Sequence, residues 1–235
     1  MNACTQCAIR QTAICQSLSE CELNELNALG RHQILKRGQT MLWQGDESHL
    51  VGNVIEGVLK LSVSTIDGRE QTLGIMFPSD FIGRPFGPRS SHSVVALTEA
   101  RICTFRRSAF DEFARSHPDL EHRLLQRTLT ELDRTRHWML LLGKKSASER
   151  VAAFLLEMSS RYSANSGDHE DGPIRFELPL SRQDIADLLG LTIETVSRQI
   201  SSFREDGIIE TPNRRTVKIL ELERLESRAD DPATQ

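Results

Sequence analysis

Four of the five cysteines, Cys4, Cys7, Cys15 and Cys21, fall within the first 21 residues, and Cys103 stands alone. Clustered thiols without an export pattern point to metal or redox chemistry before disulfides. Cys4-x2-Cys7 offers two thiolates from one tight loop, which suits a soft metal centre, zinc or iron–sulfur. Cys103 lies in Arg101-Ile102-Cys103-Thr104-Phe105, an alternating stretch that reads as a strand. Cys21 sits in the first turn of a capped helix, which fixes its direction, and is expected to be a spare thiol.

A second set of residues could read DNA. Ser181 with Asp184 three residues on marks a helix start, and Ile185, Ala186, Leu188 and Leu189 supply its apolar face. Gly190 breaks that helix, Leu191 is expected as a buried turn residue, and Thr192 caps a second helix. With Val196, Ile200 and Phe203 inward and Gly207 as the stop, two short helices meet at a tight turn. Glu194, Ser197, Arg198 and Ser201 then point largely outward near the N-terminus of the second helix, the end that meets base edges. Arg198 carries the planar donor fork that matches guanine O6 and N7, and Glu194 can accept from a cytosine amino group. Gly207-Ile208-Ile209 and Val217-Lys218-Ile219 flank Asn213-Arg214-Arg215, read as a wing whose basic tip, Arg214 and Arg215, meets the phosphate backbone.

The composition sets limits. A net charge of −4 excludes a protein that coats polyanions by bulk charge, but leaves room for one basic, well-shaped face. Purely aliphatic runs as short as Leu140 to Leu142 and Val94 to Leu97 exclude a membrane span. Residues 1–10 lack the basic-then-apolar pattern of an export signal, so a cytoplasmic protein is expected. The chain has no phosphate-cradling glycine loop, no GxSxG elbow and no HExxH, and its seven histidines show no i, i+4 metal pairing. It does not read as an enzyme.

Several elements must position these residues. Ser19 and Glu22 spell a capping box, flanked by Leu18 and Leu23, so a helix is expected over 19–29 with Gly30 at its end. From about 32 to 105, recurring glycines separate short alternating stretches such as Val58-Leu59-Lys60-Leu61-Ser62-Val63, with a hairpin turn at Ile66-Asp67-Gly68-Arg69; this predicts an antiparallel barrel or jelly roll. A helix over 108–114 is interrupted at His117-Pro118. Residues 119–145 then read as one long helix in which Leu125, Leu132 and Met139 recur every seven residues. Either choice of intermediate positions, Thr128 and Thr135 or Leu129 and Arg136, leaves polar breaks in that seam, so pairing between two copies is expected to be weak. A further helix over 147–162 carries Val151, Phe154, Leu155 and Met158 on one face, followed by a polar loop at 163–172.

This order of parts resembles the Crp/Fnr superfamily of bacterial transcription regulators over about residues 15–225. The resemblance rests on Asp80-Phe81-Ile82-Gly83, on the stretch from Leu141 to Phe154, and on Leu191-Thr192-Ile193-Glu194-Thr195-Val196-Ser197-Arg198, which is similar to the recognition helix of the FNR branch. It implies an α+β fold: an N-terminal antiparallel β-roll of the cyclic-nucleotide-binding type, a long dimerisation helix and a C-terminal winged helix-turn-helix. The expected segments are 1–22 (cysteine-rich, cluster-binding), 23–108 (β-roll sensor), 109–145 (dimerisation helix), 146–226 (DNA-binding) and 227–235 (disordered tail).

By the same resemblance, Glu194, Ser197 and Arg198 read double-stranded DNA at a TTGAT…ATCAA-like inverted repeat, with Thr192, Ser181, Arg214 and Arg215 in support. Leu125, Leu132, Thr135 and Met139 form the homodimer seam. Cys4, Cys7, Cys15 and Cys103 hold an oxygen-labile [4Fe–4S] cluster, whose loss in oxygen weakens the dimer. The seven residues between Cys7 and Cys15 are more than the better-known FNR spacing has, and resemble FnrL- and FnrN-like members. RNA polymerase is the expected protein partner, with residues 82–87 as a candidate contact. A cyclic nucleotide is not expected, because Arg84 stands where nucleotide binders carry a ribose-binding Glu and Ser91-His92 where they carry Arg-Ser. The alternative is a DNA-binding regulator with a zinc-stabilised barrel or another barrel ligand.

Overall fold

A computed structural model describes residues 4, 6–68, 70–166 and 173–230. The chain divides into two compact units, Met1–Asp133 and Arg134–Gln235, the division falling inside one long helix.

In the first unit the chain enters through successive turns: Arg10 N donates to Cys7 O (3.1 Å) and Ala13 N to Ile9 O (2.8 Å). A 3-10 turn, Ile14–Ser17, follows. Helix α1 (Glu20–Leu29) has the full capping box: Ser19 accepts from Glu22 N, and Glu22 accepts from Ser19 N at 2.7 Å. Gly30 does not take the left-handed cap conformation expected of it. At φ −86° it is already the first residue of β1, and a Cβ there would press within 2.9 Å of the Phe105 ring.

Eight strands follow: β1 (Gly30–Leu35), β2 (Thr40–Leu42), β3 (Leu50–Glu56), β4 (Leu59–Ser64), β5 (Glu70–Met76), β6 (Phe81–Ile82), β7 (Ser93–Ala96) and β8 (Ala100–Arg106). They form two four-stranded antiparallel sheets, ordered β1-β8-β3-β6 and β2-β7-β4-β5. Each strand turns a face inward, so all eight strands contribute to one apolar cluster that includes Leu35, Leu59, Ile82 and Ile102, while β3 is buried without alternation from Val51 to Ile55. Fully burying side chains of this size contributes about 1.5–3 kcal/mol each. Gly57 (φ +84°) marks where the chain leaves one sheet for the other, with no room for a Cβ beside Glu99 O. The 66–68 turn joins β4 to β5 as expected; Arg69 lies outside the described residues.

Helix α2 (Arg107–Arg115) buries Phe110 against Phe81 and Phe105, with ring centroids 5.4 and 5.6 Å apart. Proline at its first position then starts α3 (Pro118–Lys144), as the break at His117 requires. Leu120 and Leu124 anchor α3 in the cluster of Leu23, Leu26 and Phe110.

In the second unit α4 (Ala147–Ser166) runs four residues beyond the expected end, so residues 163–166 are helix rather than loop; 167–172 lie outside the described residues. Then come β9 (Arg175–Glu177), α5 (Arg182–Leu189), α6 (Ile193–Glu205), β10 (Ile209–Glu210), β11 (Thr216–Ile219) and α7 (Leu222–Ala229). The expected extended piece, β9, pairs with β11, which makes the wing a three-stranded sheet. Helix α7 takes in Ser227–Ala229, three residues expected to be disordered tail, because Leu225 and Ala229, four apart, are both buried. Residues 231–235 of that tail lie outside the described residues. No helix among the described residues is long and apolar enough to cross a membrane.

Candidate nucleic-acid interface and cysteine centre

Both reading helices are fixed by local chemistry. Ser181 accepts from Asp184 N and Asp184 accepts from Ser181 N at 2.9 Å, closing the box on α5. Gly190 takes the left-handed conformation (φ 61°), its N–H returning to Ala186 O, and Thr192 accepts from Thr195 N to start α6. Val196, Ile200 and Phe203 are buried at the expected spacing, and Gly207 (φ +69°) turns the chain out of α6. Leu191 is half-buried rather than buried: the turn it occupies lies at the surface.

With that face inward, Glu194 and Arg198 are exposed and Ser197 and Ser201 half-exposed. The backbone at the start of α6 and the Thr192 hydroxyl hold the Glu194 carboxyl below its usual pKa, so it stands as an ionised acceptor. Arg198 has one weak intramolecular contact, Nη2 to Thr195 Oγ1 at 3.4 Å. At the wing tip Asn213 Oδ1 accepts from both Arg215 N and Thr216 N at 2.8 Å, which leaves Arg214 and Arg215 exposed. This gives four side chains near one helix end and a basic hairpin beside it. Their chemistry is base-edge reading plus phosphate contact.

The cysteine centre is assembled from distant segments. Cys103 lies on β8, between β1 and β3, and a Cβ at Gly52 on β3 would come within 2.2 Å of its carbonyl oxygen. Cys7, Cys15 and Cys103 pack on a small cluster of Ile9, Ala13 and Ile55, while Cys4, Cys15 and Cys103 also border the larger cluster around Phe110. Burial first, and then the nearby Cys4, Cys7 and Cys15, push the Cys103 thiol up to about 12. Cys15 is pushed up to about 11 by burial and by Cys7 and Cys4, and Cys4 is raised by burial and Cys7. The four thiols expected together are thus within electrostatic reach of one another. Cys21 is exposed, its sulfur 4.0 Å from Glu25 Oε1 on its own helix. None of the five is in a disulfide. Among the described residues no group of three or more His, Cys, Asp or Glu is drawn into metal-ligating positions. By donor chemistry four thiols at one corner fit a soft metal or iron–sulfur centre.

Two arginines escaped the sequence reading. From α3, Arg127 Nη2 donates to the carbonyl of Thr12, and Arg123 Nη2 donates to Gln16 Oε1 at 2.7 Å. The Thr12 hydroxyl also shares a hydrogen bond with Ser79 Oγ on the barrel. The only sequence signal was their spacing of four, one face of a helix. At about 100° per residue, that face lies opposite the row of Leu125, Leu132 and Met139. Those three are 55%, 42% and 69% exposed, and Thr135 is exposed beside them. In the barrel, Arg84 is exposed, and burial pushes the His92 ring toward its neutral form. Neither residue of the Ser91-His92 pair supplies a fixed positive charge.

Comparison with known proteins accounts for the DNA-reading unit and the barrel. A model of the Crp-like helix-turn-helix domain matches residues 149–228, and one of the cyclic nucleotide-binding domain matches residues 32–117. The chain is 40% identical over 231 residues to the transcriptional activator protein FnrL of Cereibacter sphaeroides, covering 98% of this chain and 93% of that protein. It is 41% identical over 206 residues to the nitrogen fixation regulation protein FixK of Bradyrhizobium diazoefficiens, covering 88% and 85%. The solved structure of FixK2 from Bradyrhizobium japonicum matches with a TM-score of 0.77 at 30% identity, covering 84% of this chain and 96% of that one. With the barrel, the long helix and the outward-facing Glu194, Ser197 and Arg198 in place, the chain belongs to the Crp/Fnr family of DNA-binding transcription regulators, which are not enzymes.

Proposed function

We propose that this protein is an oxygen-responsive, cytoplasmic transcription regulator that binds a TTGAT…ATCAA-like inverted repeat as a homodimer when a [4Fe–4S] cluster is held by Cys4, Cys7, Cys15 and Cys103. The observation that carries this reading is the convergence of three thiols from one N-terminal segment on a fourth at β8, with Cys21 pointing away. Bound there, the cluster would supply an oxygen-labile cross-link among four thiolates. The chain's own residues do the rest. Cys103 gives a fixed position on a central strand. Arg123 and Arg127 carry the order of the segment around Thr12 and Gln16 to α3. The opposite face of α3, with Leu125, Leu132 and Met139 exposed and Thr135 among them, is the seam for a second copy. A seam with polar breaks is weak enough to be tipped by ordering at its back. Arg198 and Glu194 read base edges, and Arg214 and Arg215 contact the backbone. The barrel loop at 82–87 is the surface offered to RNA polymerase. With Ser91-His92 in place of a phosphate-binding Arg-Ser pair, a cyclic nucleotide is not the signal.

The test is an anaerobic absorbance spectrum with iron and sulfide assays, repeated after a pulse of air. About four irons per chain, bleached by air, is the expected result. A colourless protein that takes up zinc but no iron under strict anaerobic reconstitution overturns it. The Crp/Fnr assignment would then stand with a zinc-stabilised barrel as the input.

A further inference from the structure

Arg150, near the start of α4, uses both ends of its guanidinium. Nε donates to Lys145 O at 2.9 Å and Nη1 donates to Leu189 O at 3.1 Å. Lys145 directly follows α3, and Leu189 is the last residue of α5, immediately before the left-handed Gly190. Both carbonyls belong to helix ends, where the ladder leaves acceptors without a partner and the dipole favours a cation. One planar fork therefore joins the end of the long helix to the turn of the helix-turn-helix.

The surroundings reinforce the joint. Leu142, on the last turn of α3, has its Cδ2 3.9 Å from where a Gly190 Cβ would stand. Lys145 Nζ donates to Ala229 O at 3.0 Å and pairs with Glu149 at 3.1 Å, which adds the end of α7. Glu149 in turn accepts from Ser146 N at 2.7 Å, capping α4, and its carboxyl is held at about 2 by Ser146 and Lys145. All of these residues lie within the second unit. The Ser146-x-x-Glu149 cap is visible in the sequence; the partners of Arg150 are not.

We infer that Arg150 is a positioning residue for DNA reading: it fixes the angle between the end of α3 and the reading helix α6, and so sets the half-site spacing that the dimer accepts. The inference rests on the inverted-repeat reading proposed above. Two reading helices held at fixed angles to a shared seam meet half-sites at one separation; a looser joint meets several. Lysine cannot substitute fully, because a single ammonium lacks the fork that spans two carbonyls.

The experiment uses full-length, anaerobically reconstituted protein and duplexes carrying TTGAT and ATCAA half-sites, the spacer lengthened or shortened by one and two base pairs. Wild type is expected to show one optimum and to lose about tenfold or more per step away from it. Arg150→Met is expected to lose affinity at the optimum but little elsewhere, so that the ratio between spacers collapses toward one. Arg150→Lys is expected to fall between the two, and carries the test if Arg150→Met does not fold. The salt dependence of binding should not change, because the phosphate contacts are intact. A uniform loss across all spacers would reduce Arg150 to structural support and overturn the inference, as would an unchanged ratio. Wild-type protein that ignores these half-sites at every spacing would instead overturn the proposed DNA site, and this inference with it.

Discussion

The DNA-reading unit and the cysteine centre are built by opposite means. Helices α5 and α6 are specified within 27 residues: two side-chain caps, two left-handed glycines and an apolar face spaced four and three. The cysteine centre needs residues 4–15 to meet residue 103 on β8, and its brace, Arg127 to Thr12, spans 115 positions. The first region is set by contacts close in sequence. The second depends on long-range contacts that each cost chain entropy, and so would be ordered or loosened by gain or loss of the cluster proposed above.

The sharpest way to break this contrast is to remove a member of each region. Cys103→Ser should abolish iron uptake altogether, while Cys21→Ser should leave it intact; iron assays on the reconstituted variants decide it. Phe203→Ala should cost the second unit about 3–5 kcal/mol by emptying its core. A calorimetric scan should then show the first unit melting as before. Arg198→Ala should weaken specific binding by about 1–3 kcal/mol per half-site and relax the preference for guanine at the contacted position, read by competition among operator variants. Arg127→Met should leave iron content unchanged but reduce, several-fold, the tightening of the dimer proposed to follow iron uptake, measured by sedimentation before and after anaerobic reconstitution.

Acidity sharpens the comparison further. The Cys15 and Cys103 thiols lie above their ordinary range, at about 11 and about 12, so near neutral pH both carry protons that a metal must displace. Affinity for a thiophilic probe such as Zn²⁺ should therefore rise with pH, by up to about tenfold per unit for each proton released, and fall on acidification. The reading unit offers no such dependence through Glu194, whose carboxyl is already ionised.

Legibility in the sequence followed the same divide. The caps at Ser19, Ser181 and Thr192 and the inward set Val196, Ile200 and Phe203 are local patterns, and each appears as read. The strands of the barrel were legible as alternation, but their order was not: β1 and β3 both pair with β8, which no spacing announces. The cysteines were legible as a chemical type, and their meeting place only through family resemblance. Helix ends were misjudged where tertiary burial carried the helix on, as at Ala229, or where a glycine served the sheet, as at Gly30. Arg123, Arg127 and Arg150 looked like ordinary surface charges, because hydrogen bonds to distant carbonyls leave no periodic trace.

One silent position belongs to this list. Gly52 bears no donor, acceptor or charge, yet the backbone of Cys103 fills the space that any side chain at 52 would need. A methyl group there would displace the strand that holds the fourth thiol while leaving every cysteine in place. An inherited change at this codon would look conservative and leave every cysteine in place, and on the cluster reading proposed above it would still disturb the fourth thiol. For the proposed cluster site the set to look for is therefore four cysteines and one glycine.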